Sequence, residues 1–109
     1  MDESEFIRLA EQTLLELDRR IEASCVDADC DFSGTGVLEI EFVDGSKIVV
    51  NSHAAAREIW VAAKSGGYHF RSDGPRWVNT RDGTDLFAAL SAYVSQQAGE
   101  TVTLTTAED

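Results

Sequence analysis

The spacing of apolar residues changes near residue 25, and that change limits what the chain can fold into. Phe6, Leu9, Ala10, Thr13, Leu14, Leu17 and Ile21 recur every three or four residues. That spacing puts them on one side of an α-helix. From Val26 the period is two: Val26, Ala28, Cys30 and Phe32 alternate with Asp27, Asp29 and Asp31. This alternation predicts a half-buried strand with three carboxylates on its open face. An amphipathic helix followed by alternating strands must stack helix on sheet.

The helix is predicted from Ser4 to Ala23, with Ser4 as N-cap and Asp2, Glu3 and Glu5 at the positive end of its dipole. Ser33-Gly34-Thr35-Gly36 is expected to turn the chain. Leu38, Ile40 and Phe42 then point inward, with Glu39 and Glu41 outward. Asp44-Gly45 signals a hairpin. A two-residue loop there would place Phe42 opposite Lys47, and cross-strand partners share a face. Pairing Phe42 with Ile48 and Ile40 with Val50 keeps apolar with apolar. It requires a loop of at least three residues, Asp44 to Ser46, or a bulge.

Arg57–Ala63 is predicted as a strand, with Trp60 on the face opposite Ile59 and Val61. Gly66-Gly67 reads as a turn. Shorter strands are expected near Tyr68–Ser72 and Arg76–Thr80. Leu86, Phe87, Leu90, Tyr93, Val94 and Gln97 have helical spacing, and Gly99 reads as the residue that ends that helix. A last strand is expected at Thr101–Thr105. The whole is an α+β fold: a two-layer α-β sandwich with two helices on one face of an antiparallel sheet of about six to seven strands. One domain is expected over residues 1–106, with 107–109 as a frayed tail.

Charge narrows the function. Residues 1–44 hold thirteen of the twenty carboxylates and three basic residues, which gives them −10 of the chain's net −11. So concentrated a field favours metal cations or a basic protein surface and disfavours nucleic acid and anionic lipid. The start of the chain lacks the basic and apolar regions of a secretory signal, and no apolar run approaches the ~20 residues of a membrane span. A cytoplasmic protein is expected. Cys25 and Cys30 are too far apart for a CxxC pair, and Cys30 reads as a small buried hydrophobe.

Glu11, Asp18 and Glu22 fall within about 40° of one another around the first helix, beside its apolar stripe. Asp27, Asp29 and Asp31 form a second row. Should the first strand lie at the sheet edge beside the helix, the two rows make one ridge. Each row alone is also what a solvated surface looks like. Same-face strand neighbours lie ~7 Å apart, where two unit charges repel by roughly 0.6 kcal/mol in water and about 2.4 at an effective dielectric near 20. Such a ridge destabilises the fold, and cations relieve it. A gap of ~7 Å is long for chelation at ~2.0–2.6 Å per bond, so each ion takes one or two carboxylates and keeps water. Hard oxygen ligands predict weak, exchangeable binding of hard or borderline cations.

Trp60, Val49, Asn51 and His53 form a second group. An outward Trp on an open sheet face is a candidate interface anchor, though it could also pack under a loop. His53 and His69 are lone histidines, for which structural or incidental roles are expected. No nucleophile stands beside a base and no phosphate loop appears, so the chain does not read as an enzyme.

The chain resembles bacterial frataxin, the CyaY family. The likeness runs from about Glu3 to Leu104. It is most specific in Val-Asn at Val50-Asn51, in Ile59-Trp60 and in Gly66-Gly67-Tyr68-His69-Phe70. Ser4-Glu5-Phe6 with Leu9-Ala10, Gly36-Val37-Leu38, and Gln96-Gln97-Ala98-Gly99-Glu100-Thr101-Val102 also fit. The resemblance implies a frataxin-like sandwich and a role in iron–sulfur cluster assembly. It implies weak, exchangeable binding of Fe(II) or Fe(III) on an acidic ridge, here Glu11, Asp18, Glu22, Asp27, Asp29 and Asp31. It implies docking on a cysteine desulfurase and its scaffold protein, with Trp60 and Asn51 matching the family's exposed sheet residues. Where relatives carry a denser acidic run at the end of the first helix, this chain has Arg19, Arg20, Ala23 and Ser24. The expected protein is a monomeric iron-binding regulator or adaptor of cluster assembly, with metal-induced oligomers left open. The alternative is an acidic adaptor or DNA mimic that binds a basic partner and has no metal role.

Overall fold

Asp2, two residues before the expected cap, starts the first helix. Its carboxylate accepts the Glu5 N–H at 2.8 Å, and α1 runs Glu3–Ala23. The computed structural model describes residues 1–32 and 36–104. α1 ends where Ser24 turns its hydroxyl onto the Ile21 carbonyl at 2.6 Å and Cys25 takes a left-handed φ of 61°, a conformation that commonly closes helices. Six strands follow: β1 (Ala28–Phe32), β2 (Val37–Phe42), β3 (Lys47–His53), β4 (Glu58–Ala63), β5 (Gly66–Asp73) and β6 (Arg76–Asn79), and then α2 (Leu86–Ala98). The strands form one sheet in sequence order, β1 to β6, each antiparallel to its neighbour.

Alternation decides which side of the sheet is buried. Leu38, Ile40, Ile48, Val50, Ile59 and Phe70 are fully buried on the inner face, against Phe6, Leu14 and Leu17 of α1 and Leu86, Leu90 and Val94 of α2. Trp77 of β6 meets Phe6 edge-on at 5.8 Å and donates its indole N–H to Thr13 Oγ1 at 2.9 Å. Asp85 caps α2 by accepting the N–H groups of Phe87 and Ala88. Gly99 ends it with a φ of 73°.

Besides the cap, three expectations need correction. The β2–β3 register pairs Ile40 with Ile48 and Leu38 with Val50, two residues from the predicted pairing but with the same faces together. The loop is Val43–Gly45: Gly45 N–H reaches the Phe42 carbonyl at 2.9 Å, and Phe42 N–H reaches that of Ser46 at 2.9 Å. Gly45 supplies the positive φ (86°) that this three-residue hairpin requires. Gly66-Gly67 is not the turn but the start of β5, because Ala63 pairs directly with Gly66. Thr101–Leu104 is not a seventh strand. Ser95 Oγ accepts the Val102 N–H at 2.8 Å and Ser91 Oγ accepts that of Leu104 at 2.8 Å, so serines of α2 replace a sheet ladder. Val102 and Leu104 are buried as expected. The predicted turn at 33–35, residue 105 and the tail lie outside the described residues.

The buried amide of Gln97 ties α2 to two hairpins. Its Oε1 accepts the Lys64 N–H at 2.9 Å, and its Nε2 donates to Ser46 Oγ at 3.1 Å and the Lys47 carbonyl at 3.3 Å. Gln97→Leu leaves those backbone groups without these partners, so unfolding free energy should fall by about 1–3 kcal/mol. Urea denaturation checks this; an unchanged midpoint contradicts it.

Candidate functional site

β1 is an edge strand, and α1 packs along it. The chain reverses between the two elements within Ser24–Asp27, so the helix carboxylates and the strand carboxylates share one border. Cys30 marks the junction. Burial first, and then the carboxylates of Asp18, Glu22 and Asp31, push its thiol well above the usual range. That shift keeps the thiol protonated at neutral pH. Half-buried Cys30 reads as the packing residue expected. One oxygen of the Asp18 carboxylate, Oδ1, is buried with no hydrogen-bond partner among the described residues. Glu11 lies farther along α1, near Phe32 at the end of β1. Asp27, Asp29 and Asp31 are exposed.

The register adds two acids that the sequence reading left out of the site. Asp29 stands opposite Glu41, and Asp31 opposite Glu39. Directly opposed like charges destabilise a strand pair. Lys47 answers part of this charge, its Nζ lying 3.2 Å from Glu39 Oε1. The arginines of α1 do not neutralise the six predicted ridge acids through any ion pair among the described residues. Arg19 pairs with Glu16, and Arg20 meets the same carboxylate at 2.7 Å. Arg20 also lies 4.2 Å over the Phe87 ring and donates to the Leu104 carbonyl at 3.0 Å. Its hydrogen bond, followed by that of Arg19, holds the Glu16 carboxyl below its ordinary range. Among the described residues no three His, Cys, Asp or Glu side chains converge on one metal position. The border is a field of carboxylates, not a cage.

The open face of β3–β5 has a different character. Asn51, Trp60 and His69 form one cross-strand row, and His53, Glu58 and Arg71 form the next. Among the described residues, Trp60 packs against side chains of the neighbouring strands. Its ring is stacked between His53 (4.0 Å between centroids, 11° between planes) and His69 (4.6 Å, 9°). Its Nε1 donates to Glu58 Oε1 at 2.8 Å, and the same oxygen lies 3.4 Å from His69 Nδ1. His53 Nδ1 is buried without a hydrogen-bond partner among the described residues. His69 is thus neither lone nor incidental. The period-two pattern carried the signal, since residues 51, 60 and 69 share a face once the two hairpins are in register. Val49, Ala62 and Gly67 form a third row and leave a shallow recess beside the indole.

Two helices on one face of a six-stranded meander, an acidic border at the first strand and an aromatic open face define a frataxin-like α-β sandwich. Residues 1–100 match the frataxin-like domain, and the chain belongs to the frataxin-like family. The iron–sulfur cluster assembly protein CyaY of Cupriavidus metallidurans is 57% identical over 107 residues, covering 95% of this chain and 96% of that one. The protein of the same name from Dechloromonas aromatica is 55% identical over 104 residues, covering 95% and 99%. The solved frataxin of Psychromonas ingrahamii superposes with a TM-score of 0.89 at 33% identity, over 97% of this chain and 100% of that one.

Lys47 gives a direct probe of the acidic field. The hydrogen bond to Glu39, then the charges of Glu39 and Glu41, raise its pKa. A raised lysine contributes stability that is fully present below the unfolded pKa of about 10.4 and is lost as pH rises through the folded value. Lys47→Gln should lower the melting temperature at neutral pH and low salt. The gap should close in roughly molar salt, where the screening length is about 3 Å, and again at strongly alkaline pH. Thermal melts across salt and pH check this; a gap independent of both contradicts it.

Proposed function

We propose that this chain is a non-enzymatic regulator or adaptor of iron–sulfur cluster assembly that carries iron weakly on the α1–β1 border. The observation that carries the reading is the crowding of Asp18, Glu22, Asp29 and Asp31 at one border without an ion-paired cation among the described residues. The names of its CyaY relatives support the pathway. The donors are hard oxygens, which suit Fe(II) or Fe(III) held with several waters and released readily. The orphaned Asp18 Oδ1 supports a positive counterpart at that point.

Docking follows from the same surface. The acidic border complements a basic patch on a cysteine desulfurase, and the Trp60 face meets that enzyme or its scaffold protein. Charge governs encounter and salt dependence, and the desolvated aromatic contact governs residence. The cytoplasm is the compartment this role requires.

Desulfurase affinity measured against salt separates the two contributions. The triple variant Asp27→Asn, Asp29→Asn, Asp31→Asn should flatten the salt slope, whereas Trp60→Ala should weaken binding at every salt concentration with the slope kept. Equal slopes for wild type and triple variant rule out the border's part. Fe(II) added without oxygen to isotope-labelled protein should broaden amide signals at Glu22 and at residues 27–31. An unchanged spectrum favours the acidic adaptor or DNA mimic instead.

A further inference from the structure

We propose that His53 and His69 are positioning residues for docking through Trp60. Stacked on the two faces of the indole, they hold it on edge, so that a partner meets one rigid three-ring ledge and not a mobile ring. The inference rests on the docking reading above.

The geometry supports it at three points. Both interplanar angles are near 10°, so neither indole face is open to a partner and only ring edges are. Glu58 fixes the remaining freedom: one carboxylate oxygen accepts the indole N–H at 2.8 Å and lies 3.4 Å from His69 Nδ1. The row beside the indole is cut down to Val49, Ala62 and Gly67, which leaves a recess along its edge. Small side chains next to a braced aromatic make a seat for an aliphatic side chain, with the Asn51 amide alongside to orient it. The partner surface that fits is therefore an apolar side chain with a polar neighbour. A ring already ordered before encounter loses little freedom on binding, and that raises affinity. Among the described residues the Nδ1 of His53 has no hydrogen-bond partner, and stacking on the indole is what holds the ring.

The test compares Trp60→Ala, the double variant His53→Ala, His69→Ala and the double variant His53→Phe, His69→Phe for binding to the desulfurase–scaffold complex. The alanine pair should weaken binding about tenfold, the size of a single hot-spot loss. The phenylalanine pair keeps the stack and should restore affinity to within about threefold. In the free protein, the Trp60 indole N–H resonance should broaden and lose its ring-current shift in the alanine pair and stay sharp in the phenylalanine pair. Trp77, bonded to Thr13 in the core, is the internal control. Wild-type binding by the alanine pair, or failure of the phenylalanine pair to rescue, overturns the inference while leaving docking through Trp60 intact. Wild-type binding by Trp60→Ala overturns the docking reading and the inference with it. Should the alanine pair melt early, His53→Ala alone carries the same test, and wild-type binding by it overturns the inference.

Discussion

Asp29 and Asp31 face Glu41 and Glu39 across the first strand pair, and the rest of the surface is organised around that unfavourable opposition. The inner face of β1 must pack against α1 to complete the core, which leaves its acids no choice but the outer face. The short reversal at Ser24–Asp27 then brings Asp18 and Glu22 to the same edge. Repulsion here is a consequence of core packing, since a one-residue slip that moved the acids would also expose Cys30 and Phe32. The arrangement has a use even before any ligand is considered. An edge strand with unpaired backbone groups invites another copy, and a line of carboxylates discourages it.

Two basic residues near this border have other partners than the six ridge acids, while Arg8 lies beside Glu11 at the far end. Arg20 joins α1 to α2 and to the C-terminal segment through Glu16, Phe87 and the Leu104 carbonyl. Lys47 meets Glu39 on the open face. The open face therefore has two regions in sheet order, an acidic one on β1–β2 and an aromatic one on β3–β5. In the proposed docking these would serve different parts of one association: long-range attraction on the acidic side, short-range fit on the aromatic side.

Much of this was legible in the sequence because two physical periods carried it. The 3.6 repeat of α1 and the alternation from Val26 to Phe32 fixed the layer arrangement and the inward faces. Register was less legible. Parity excluded half of the pairings between β2 and β3, but only the Val43–Gly45 turn chemistry could choose between Ile48 and Val50 as the partner of Ile40. The last segment misled because Val102 and Leu104 alternate like a strand, while the serines that bind their backbone sit on α2, out of view of local pattern. Alternation marks Glu39 and Glu41 as outward but not as site residues, since their closeness to Asp31 and Asp29 is a cross-strand property. The partnership of His53, Trp60 and His69 needed two correct registers at once.

The melting temperature of the free protein, followed as salt and then a divalent cation are added near neutral pH, tests the central claim most directly. Crowded, unneutralised carboxylates predict a rise with salt through screening and a further rise with the cation at constant ionic strength, removed by the Asp27, Asp29 and Asp31→Asn triple variant. A melting temperature that stays flat through both additions would contradict the account.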